Sequence, residues 1–577
     1  MSKTPNYDTK VKEILDNTHE GEHTCGITGE KWLMDDEEIG WYKKFNVPPS
    51  KFSPLSRMRL LTNTFSAGQW WYNKHAETGR PIITWVHPAT GMRVLPDKEW
   101  FSKDFIDTNV GYDLSQAFFN QLWELRLKVP KFASGDYAPS ENSISCFSYG
   151  DINSYFVGAC KSKNSFFSIV ALNTEDSSEV YNSNNVTSSY RVIHCERVYN
   201  CQYISESKDC LNSAFVFDCR NCEYCFGATN KRNKKFVWFN EQLSEEEWNK
   251  RRTEVDLGSR EVTQKNIKKF NELMAATVWP ENFNVQSENS IGEYLTKSTD
   301  NKYVYFSDGG ARNNYWNIWA IGKSENNAFC ADPTDGQENY YTAGATNSFR
   351  CLFSLVATKC QNCEYCIDTY ECENCFGCVG LRYKKFCILN AQYNEEDYWK
   401  LVDEIKCRLL ESNEYGDSLP AKFSGGYFPE SGGVKYHLAD LEFGKKINAN
   451  LFDPNSEDAI GEELTKAREI TDISEIPDHC KSLGGWDKKV LFDSKLKRRF
   501  AFLALEIEWY QKHSIAPPVE HQIERVRKLI MSSNSGVFEN KKCSKCEKDM
   551  IVSKNLAYPD RVIYCNACYL KYIEEHS

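Results

Sequence analysis

The chain has little proline and histidine, and it lacks the long apolar runs of a membrane protein. Its 577 residues include 18 Pro, 10 His and 7 Met. No segment approaches the roughly 18 uncharged apolar residues that a membrane span requires. The first residues, 1–20, are polar and of mixed charge, which disfavours a secretory leader. We therefore expect an intracellular, non-secreted protein without a membrane span.

Common catalytic motifs are missing as well. The sequence contains no phosphate-binding P-loop, no HExxH and no GxSxG. His194 and Cys195 are adjacent, so in a strand their side chains would point to opposite faces, which disfavours a nucleophile pair. The acids Asp308, Asp332 and Asp335 would suit a lyase or glycosidase, but the sequence does not group them. We assign no catalytic or cofactor-binding residue, and a non-enzymatic role is favoured.

Cysteine, in contrast, is plentiful. The chain has 24 Cys, about 4% of the residues, which is below the density of small disulfide scaffolds. Without a secretory leader, free thiols and metal thiolates are the better expectation. The net charge of -11 argues against binding of nucleic acid by the whole surface.

One stretch is present twice, 150 positions apart. Residues 225–248 and 375–398 share 11 identities in 24 aligned positions, where average composition would give roughly one or two. Four cysteines of the first copy also fall on cysteines of the second. The pairs are Cys201 and Cys351, Cys210 and Cys360, Cys222 and Cys372, and Cys225 and Cys375. The chain therefore contains an internal duplication.

The composition of the two copies predicts their fold. Both are dense in Asn, Ser, Tyr, Phe and Cys and show no sustained helical period. This favours β-solenoid-like repeats, with a twisted antiparallel sandwich as the alternative. Cysteine would fill the narrow interior, although the repeated CxxC pairs would also suit a metal cluster. Ser244 and Asn394 each precede an acid by three residues, which predicts capping helices over 244–256 and 394–411.

The two ends of the chain resemble each other at an offset of 468 residues. The matched pairs include Glu38 with Glu506, Trp41 with Trp509, Tyr42 with Tyr510, and Arg57 with Arg525. The chain thus begins and ends with versions of one module.

The C-terminal module carries the strongest chemical signal, two CxxC knuckles formed by Cys543, Cys546, Cys565 and Cys568. Four thiolates on two tight turns provide the tetrahedral shell that zinc prefers, and such a shell leaves no open position for catalysis. We predict one structural Zn²⁺ site. His75, Thr78, Pro96 and Glu99 stand at the corresponding N-terminal positions, so the first module is a degenerate ribbon.

These observations give a mainly β fold with capping helices, in which duplicated β-solenoid-like repeats are flanked by a degenerate and an intact zinc ribbon. The predicted divisions are a 1–24 N-terminal tail, a 25–135 degenerate zinc-ribbon-like module plus helix, a 136–280 first β repeat with capping helices, a 281–411 second β repeat with a capping helix, a 412–487 linker region and a 488–577 C-terminal zinc-ribbon module.

Nucleic-acid binding is the sharper alternative function. The C-terminal module combines basic residues with two aromatic residues, as single strands require. The set comprises Lys495, Lys497, Arg498, Arg499, Arg525, Arg527 and Lys528, with Trp509 and Tyr510 nearby. Since the two aromatic residues also occur in the N-terminal module without a comparable basic run, they are better explained as core.

A resemblance to a protein family rests on three parts of the sequence. These are residues 374–382, their continuation through 385–390, and the flanking ribbons. The chain resembles uncharacterised Cys-rich zinc-ribbon proteins of metagenomic small-genome bacteria and large DNA viruses, over about 25–400 and 485–572. Some of these carry a CaiB/BaiF label, which implies a catalytic Asp on an α/β fold that the β pattern here does not support. The family pattern implies CxxC ribbons at both ends, whereas Ser53 and Ser56 replace expected cysteines here.

The leading functional hypothesis is a non-enzymatic scaffold protein of a large assembly, with other proteins of that assembly as partners. The viral resemblance implies a virion, with the chain as a minor capsid or other virion component in contact with capsid proteins. The alternatives are a nucleic-acid-associated zinc-ribbon protein and a carbohydrate-active or carbohydrate-binding β-solenoid.

Overall fold

A computed structural model describes residues 2–467 and 469–577. Residue 1 of the predicted N-terminal tail and residue 468 of the predicted linker lie outside these ranges. The prediction that the chain is rich in β-strands and also carries helices is confirmed. Among the described residues, no helix combines the length and apolar character needed to cross a membrane.

The N-terminal module consists of short hairpins and helices. Tight turns connect the hairpin strands, and Asp35 and Ser53 cap two of the helices by accepting hydrogen bonds from N–H groups three residues on. Its elements are α1 (Pro5–Asp16), β1 (Gly21–Thr24), β2 (Lys31–Met34), α2 (Asp36–Phe45), α3 (Pro54–Thr62), β3 (Trp71–Lys74), β4 (Pro81–Thr84), β5 (Val94–Leu95), α4 (Asp97–Ser102), α5 (Phe118–Lys128) and β6 (Lys131–Phe132).

The first β region, residues 144–242, is one sheet of 13 strands. All pairs are parallel except the last hairpin. The strands are β7 (Ile144–Cys146), β8 (Tyr155–Gly158), β9 (Lys161–Lys163), β10 (Ile169–Glu175), β11 (Ser178–Thr187), β12 (Tyr190–Ile193), β13 (Glu196–Tyr199), β14 (Gln202–Ser205), β15 (Lys208–Leu211), β16 (Ala214–Phe217), β17 (Arg220–Thr229), β18 (Lys235–Trp238) and β19 (Glu241–Gln242).

Seven of these strands close into a parallel barrel. The long strand β11 pairs with both β12 and β13, and the long strand β17 pairs with both β15 and β16. Strand β14 joins β12 to β16, and β13 pairs with β15, which completes the ring. The long strands take part in two ladders each, and this closes the sheet.

Small side chains fill the interior of this barrel. Val180 pairs with Val192, Val192 with Ile204, Ile204 with Val216 and Val216 with Ala228. The buried cluster around this column contains only Val, Ile, Ala and Cys. Larger side chains would not fit at such close spacing, so the aromatic residues pack outside the barrel against helices.

Helices close the end of the first region. Ser244 accepts a hydrogen bond from the N–H of Glu247, as the sequence predicts, and begins α6 (Glu245–Thr253). A second helix, α7 (Arg260–Ala275), packs against β17 and is followed by the short strand β20 (Val278–Pro280). Trp279 and Phe217 pack between these elements, with ring centroids 4.2 Å apart.

The second β region, residues 291–392, uses shorter strands and many single bridges. Asn394 caps the helix that follows it by accepting from the N–H of Asp397. The elements are β21 (Ile291–Leu295), β22 (Lys302–Asp308), β23 (Ile318–Ile321), β24 (Leu355–Thr358), β25 (Ile367–Tyr370), β26 (Glu373–Phe376), β27 (Lys385–Ile388), β28 (Ala391–Gln392) and α8 (Glu395–Glu411).

Residues 412–487, the predicted linker, contain side chains that are packed into the molecule. Phe428 and Tyr436 are buried, and Gly432 donates its N–H to the carbonyl of Phe65 in the N-terminal module. The elements from there to the C-terminus are α9 (Gly432–Lys435), α10 (Leu441–Lys446), α11 (Glu457–Ile460), α12 (Glu462–Thr465), β29 (Ile470–Asp472), β30 (Val490–Asp493), β31 (Arg498–Phe500), α13 (Ala504–His513), α14 (Gln522–Met531), β32 (Phe538–Lys542), β33 (Asp549–Ser553), β34 (Val562–Tyr564) and α15 (Asn566–His576).

Candidate metal centre and the ribbon modules

The structure brings the four predicted ligands together. The Sγ atoms of Cys543, Cys546, Cys565 and Cys568 all lie within 4.8 Å of one another. Cys543 follows strand β32, and Cys565 is the N-cap of helix α15. Cys543 and Cys565 are buried, whereas Cys546 is exposed. This cluster can hold a metal ion.

A tight backbone turn forms the first knuckle, which contains Cys543 and Cys546. Cys543 donates its N–H to the carbonyl of Lys548 and accepts from the N–H of Glu547, whose φ of 61° is in the left-handed region. The turn therefore places the thiols of residues 543 and 546 on one side. The Sγ atom of Cys543 accepts hydrogen bonds from the N–H groups of Lys545 at 3.4 Å and Cys565 at 3.2 Å.

These hydrogen bonds set the charge of the thiol. Burial acts to raise the pKa of Cys543, but the N–H groups of Cys565 and Lys545 outweigh it and lower the pKa to about 6. The thiolate, which is the form that binds metal, is therefore the main form at neutral pH. Four protein ligands leave no coordination position open for a substrate.

The cysteines of the two β regions are arranged differently. Each interior thiol lies against backbone carbonyls: Cys366 Sγ contacts the carbonyls of Glu364 at 3.5 Å and Cys375 at 3.4 Å. Burial raises the pKa of Cys201 to about 12. Within the described part of the chain, Cys543 and its three neighbours are the single group of three or more His, Cys, Asp or Glu residues that could hold a metal ion. The interior thiols of the β regions therefore pack as core side chains.

The degenerate N-terminal knuckle keeps its shape through hydrogen bonds. His75 Nε2 lies 3.1 Å from Glu99 Oε2, which joins the two halves of the site. His75 Nδ1 accepts from the N–H groups of Glu77 and Thr78. Gly79, at the position that corresponds to Glu547, takes the left-handed conformation with a φ of 71°. A His–Glu contact thus occupies the place of a metal ion.

Ser53 and Ser56 stand at expected cysteine positions, but the sequence assigned no partner to them and no corresponding contact in the C-terminal module. Cys25 and Ser56 face each other, with a Sγ to Oγ distance of 3.3 Å, and Asp493 Oδ2 accepts from the N–H of His521 at 3.1 Å. Extension of the 468-residue offset to these positions would have revealed the second pair, because Cys25 then stands opposite Asp493. Among these places, the cluster of Cys543 and its three neighbours is the one that has four thiols.

Both modules share a buried core of Glu, Tyr and Arg. In the N-terminal module, Tyr42 donates to Glu38 at 2.5 Å and Arg57 donates to Tyr42 at 3.0 Å. The C-terminal module repeats this arrangement. There, Tyr510 donates to Glu506 at 2.6 Å, and Arg525 donates to Tyr510 at 2.7 Å and to Glu506 at 3.1 Å. The sequence match between the two ends thus reflects one conserved arrangement of contacts within this chain.

Each buried arginine also reaches a different β region. Arg57 lies over the ring of Phe329, 3.3 Å from its centroid, and donates to Tyr340 in the second region. Arg525 donates to Glu179 of the first region at 2.8 Å. Through these arginines the N-terminal module contacts the second β region and the C-terminal module contacts the first. Each module also contacts the other region, as between Trp70 and Phe156 and between Tyr305 and Asn534.

A second pair of contacts follows the same rule. Asp218 and Asp368 occupy equivalent positions in the two copies, 150 residues apart. Tyr569, next to Cys568 of the four-cysteine cluster, donates to Asp218. Lys131 of the N-terminal module donates to Asp368 at 2.6 Å. Each β region thus presents an equivalent carboxylate to its module.

The basic residues proposed for nucleic-acid binding are largely engaged inside the chain. Arg498 pairs with Glu430 and Arg527 pairs with Glu524. The side chains of Trp509 and Tyr510 are buried. Five of the seven basic residues have partners in the chain, namely Arg498, Arg499, Arg525, Arg527 and Lys528. They do not form a free basic surface with exposed aromatic residues.

The comparisons with known proteins give no relative. No family model, no curated protein and no solved structure matches the chain. The resemblance to Cys-rich zinc-ribbon proteins accordingly stays a prediction, as do the domain boundaries and the intracellular or virion location.

Proposed function

We propose that the chain is a non-enzymatic scaffold protein in which two rigid β bodies are clamped by the two ribbon modules. The observation that carries this proposal is the docking of one buried arginine from each module into a different β region. The two terminal modules thereby hold the two β regions in place. A large assembly is the setting in which such a body would serve, and the viral resemblance points to a virion, with the chain as a minor capsid or other component beside capsid proteins.

In this proposal, each β region is a solenoid, and the coils of the first region have 12 residues from β11 to β17. Parallel partners are 12 residues apart throughout β11 to β17, and residues with positive φ recur at every third position from Asn182 to Tyr224. A chain in parallel register with itself at a fixed offset must coil. A corner at every third residue gives each coil four short sides.

Surface contacts support a rigid body. Asn200 Nδ2 donates to the side-chain oxygen of Asn212, 12 residues on, at 2.8 Å. Arg197 makes two hydrogen bonds to Asp209, again 12 residues on, at 2.6 and 2.9 Å. Side chains at equivalent places therefore bond to each other along the surface, which leaves a regular and stiff face for neighbouring proteins.

The metal in the four-cysteine site is zinc in this proposal. Four thiolates on two CxxC turns suit Zn²⁺, and a site of this kind stabilises a small ribbon that has little core of its own. The ligand Cys568 precedes Tyr569, which contacts Asp218 of the first β region. Strand β34, which ends one residue before Cys565, pairs with β20. The metal would thus hold the C-terminal module in its contact with the first β region.

The double variant Cys543→Ser/Cys546→Ser tests this. We expect loss of about one zinc per chain by elemental mass spectrometry, together with faster hydrogen exchange in β32 to α15 and unchanged exchange in β11 to β17. Cys407→Ser is the matched control, because Cys407 is half-buried and outside the metal group. A native protein free of zinc, or a variant that keeps it, would remove the zinc proposal.

Partners are tested by sedimentation from the native source, with and without nuclease, followed by mass spectrometry. Stoichiometric recovery with coat proteins after nuclease treatment is the expected result. Loss of every protein partner on nuclease treatment would favour the nucleic-acid alternative and contradict the scaffold proposal.

A further inference from the structure

A cleft of about 600 Å³ lies where the two modules meet the first β region. Its walls include Trp70 and Tyr72 of the N-terminal module and Phe156 of the first β region. Phe156 stacks on Phe167 with ring centroids 5.9 Å apart, and Trp70 meets Phe156 edge-on at 5.9 Å. The exposed fraction of Tyr72 is 37%. Pockets of this size with aromatic walls commonly take small molecules.

Arg498 of the cleft lining forms a buried ion pair with Glu430, which lines an adjoining small cavity, and the pair has free hydrogen-bonding capacity. Arg498 and Glu430 bond to each other, and their exposed fractions are 6% and 7%. Arg498 Nε and Glu430 Oε2 nevertheless have no hydrogen-bond partner within the described structure. Both residues line a cavity of about 30 Å³ that shares Trp70 and Phe156 with the cleft. An unsatisfied donor and acceptor in one buried place are costly unless a further group bonds to them.

The charge of the cleft selects the kind of ligand. Its lining has five cationic and five acidic side chains. Several neutralise each other or bond to the backbone: Lys74 pairs with Asp458 at 3.3 Å, and Arg499 donates to the carbonyl of Leu464 at 2.9 Å. The cleft therefore offers no net attraction to an anion or a cation.

We propose that this cleft binds a neutral saccharide through ring stacking on its aromatic wall and through a sugar hydroxyl that enters the adjoining small cavity at the Arg498–Glu430 pair. A hydroxyl accepts from Arg498 Nε and donates to Glu430 Oε2 at once, which neither a carboxylate nor an ammonium group can do. The apolar faces of a pyranose ring suit Trp70 and Phe156. A cavity of this size accommodates a group as large as a water molecule, and hence one hydroxyl. The proposal is independent of the scaffold role.

Calorimetric titration of the full-length, metal-loaded protein tests the cleft. The probes are cellotetraose, chitotetraose, maltotetraose and xylotetraose, with tetragalacturonate as the anionic comparison. We expect at least one neutral tetrasaccharide to bind with an affinity that is the same at about 0.05 and 0.5 M salt. Trp70→Ala and Glu430→Gln are each expected to weaken that binding by about ten-fold or more.

The controls separate lost binding from lost folding. Tyr199→Ala removes an aromatic side chain that is 50% exposed on the first β region, away from the cleft, and should leave affinity unchanged. Gln522→Ala, a half-buried change in the same lining, should weaken binding even if Glu430→Gln does not fold. Absence of binding by all four neutral probes would overturn the proposal. The proposal would also be overturned if the Trp70→Ala and Gln522→Ala variants bound the saccharide as tightly as the unmodified protein. Binding of tetragalacturonate alone, with a strong salt dependence, would overturn it as well.

Discussion

Replacement of Arg525 by Met should detach the C-terminal module from the first β region. Arg525 is 3% exposed and bonds to Glu179 at 2.8 Å, to Glu506 at 3.1 Å and to Tyr510 at 2.7 Å. Its guanidinium also lies 4.8 Å from the centre of the Phe167 ring. The change to Met keeps much of the side-chain volume while it removes the charge and every hydrogen bond.

The magnitude follows from the charges that remain. Removal of one partner of a buried ion pair costs about 3–5 kcal/mol, because the other charge is left without compensation. Glu179 keeps a second partner, Arg191, at 2.9 Å, whereas Glu506 keeps only hydrogen bonds. We therefore expect a loss of about 4 kcal/mol in the local opening free energy of α13 and α14. Arg527→Met on the same helix removes a half-exposed pair and should cost less than about 1 kcal/mol.

The loss should depend on pH. Burial already raises the pKa of Glu506, and Arg525 opposes that rise. Without Arg525 the pKa rises further, so the folded state binds a proton more tightly than the unfolded state. Stability then increases as the pH falls from neutral toward the ordinary glutamate value of about 4.3. The variant should thus partly recover in mild acid.

Hydrogen exchange followed by mass spectrometry measures the opening of α13 and α14 directly, so global two-state unfolding is not needed. The double variant Arg525→Met/Glu506→Gln should regain part of the lost stability at neutral pH. A loss below about 1 kcal/mol in the single variant, or a loss that does not change between pH 7 and pH 5, would refute the role assigned to this buried cluster.

Three further outcomes are expected. Asp218→Asn should destabilise the docking of α15 by about 2 kcal/mol, because it removes a buried charge that pairs with Arg232. The control Asp209→Asn changes an exposed residue and should cost less than about 1 kcal/mol, and chemical denaturation measures both variants. Asn200→Val should cost about 1–2 kcal/mol and Asn200→Gly much less in the same assay, since φ is 51° there; equal costs would contradict the backbone argument. Burial lowers the pKa of His194 to about 3, so its NMR signals should stay constant from pH 8 to pH 5. The contribution of this residue to the stability of the folded state should fall as the pH drops below about 6.5, because the unfolded state then binds a proton that the folded state does not. An NMR signal that titrates near pH 6.5 would place the ring in solvent.

The four-cysteine site and the strand content were predictable because they depend on local spacing. Two CxxC turns bring their thiols to one side whatever the rest of the chain does, and the four Sγ atoms indeed lie within 4.8 Å. Ser244 and Asn394 begin helices because a cap is a contact over three residues. Such short-range patterns survive in the folded protein.

Other features depend on contacts between distant segments. The basic residues of the C-terminal module gave the impression of a nucleic-acid surface, but Arg498 and Arg525 are buried against Glu430 and Glu179, which are 68 and 346 residues away in sequence. The identity of a charged residue does not show whether its side chain contacts water or a buried carboxylate. Helix α7 was not assigned its own bounds, since its apolar positions are few.

The sequence by itself determined the duplication, the similarity of the two end modules and the four cysteines of the candidate metal site, because each of these depends on residue identity at a fixed spacing. Tertiary structure alone decided which β region each buried arginine reaches, that His75 and Glu99 contact each other, and that Trp70, Arg498 and Phe156 line one cleft. Those arrangements depend on long-range packing, which a single sequence does not specify pair by pair.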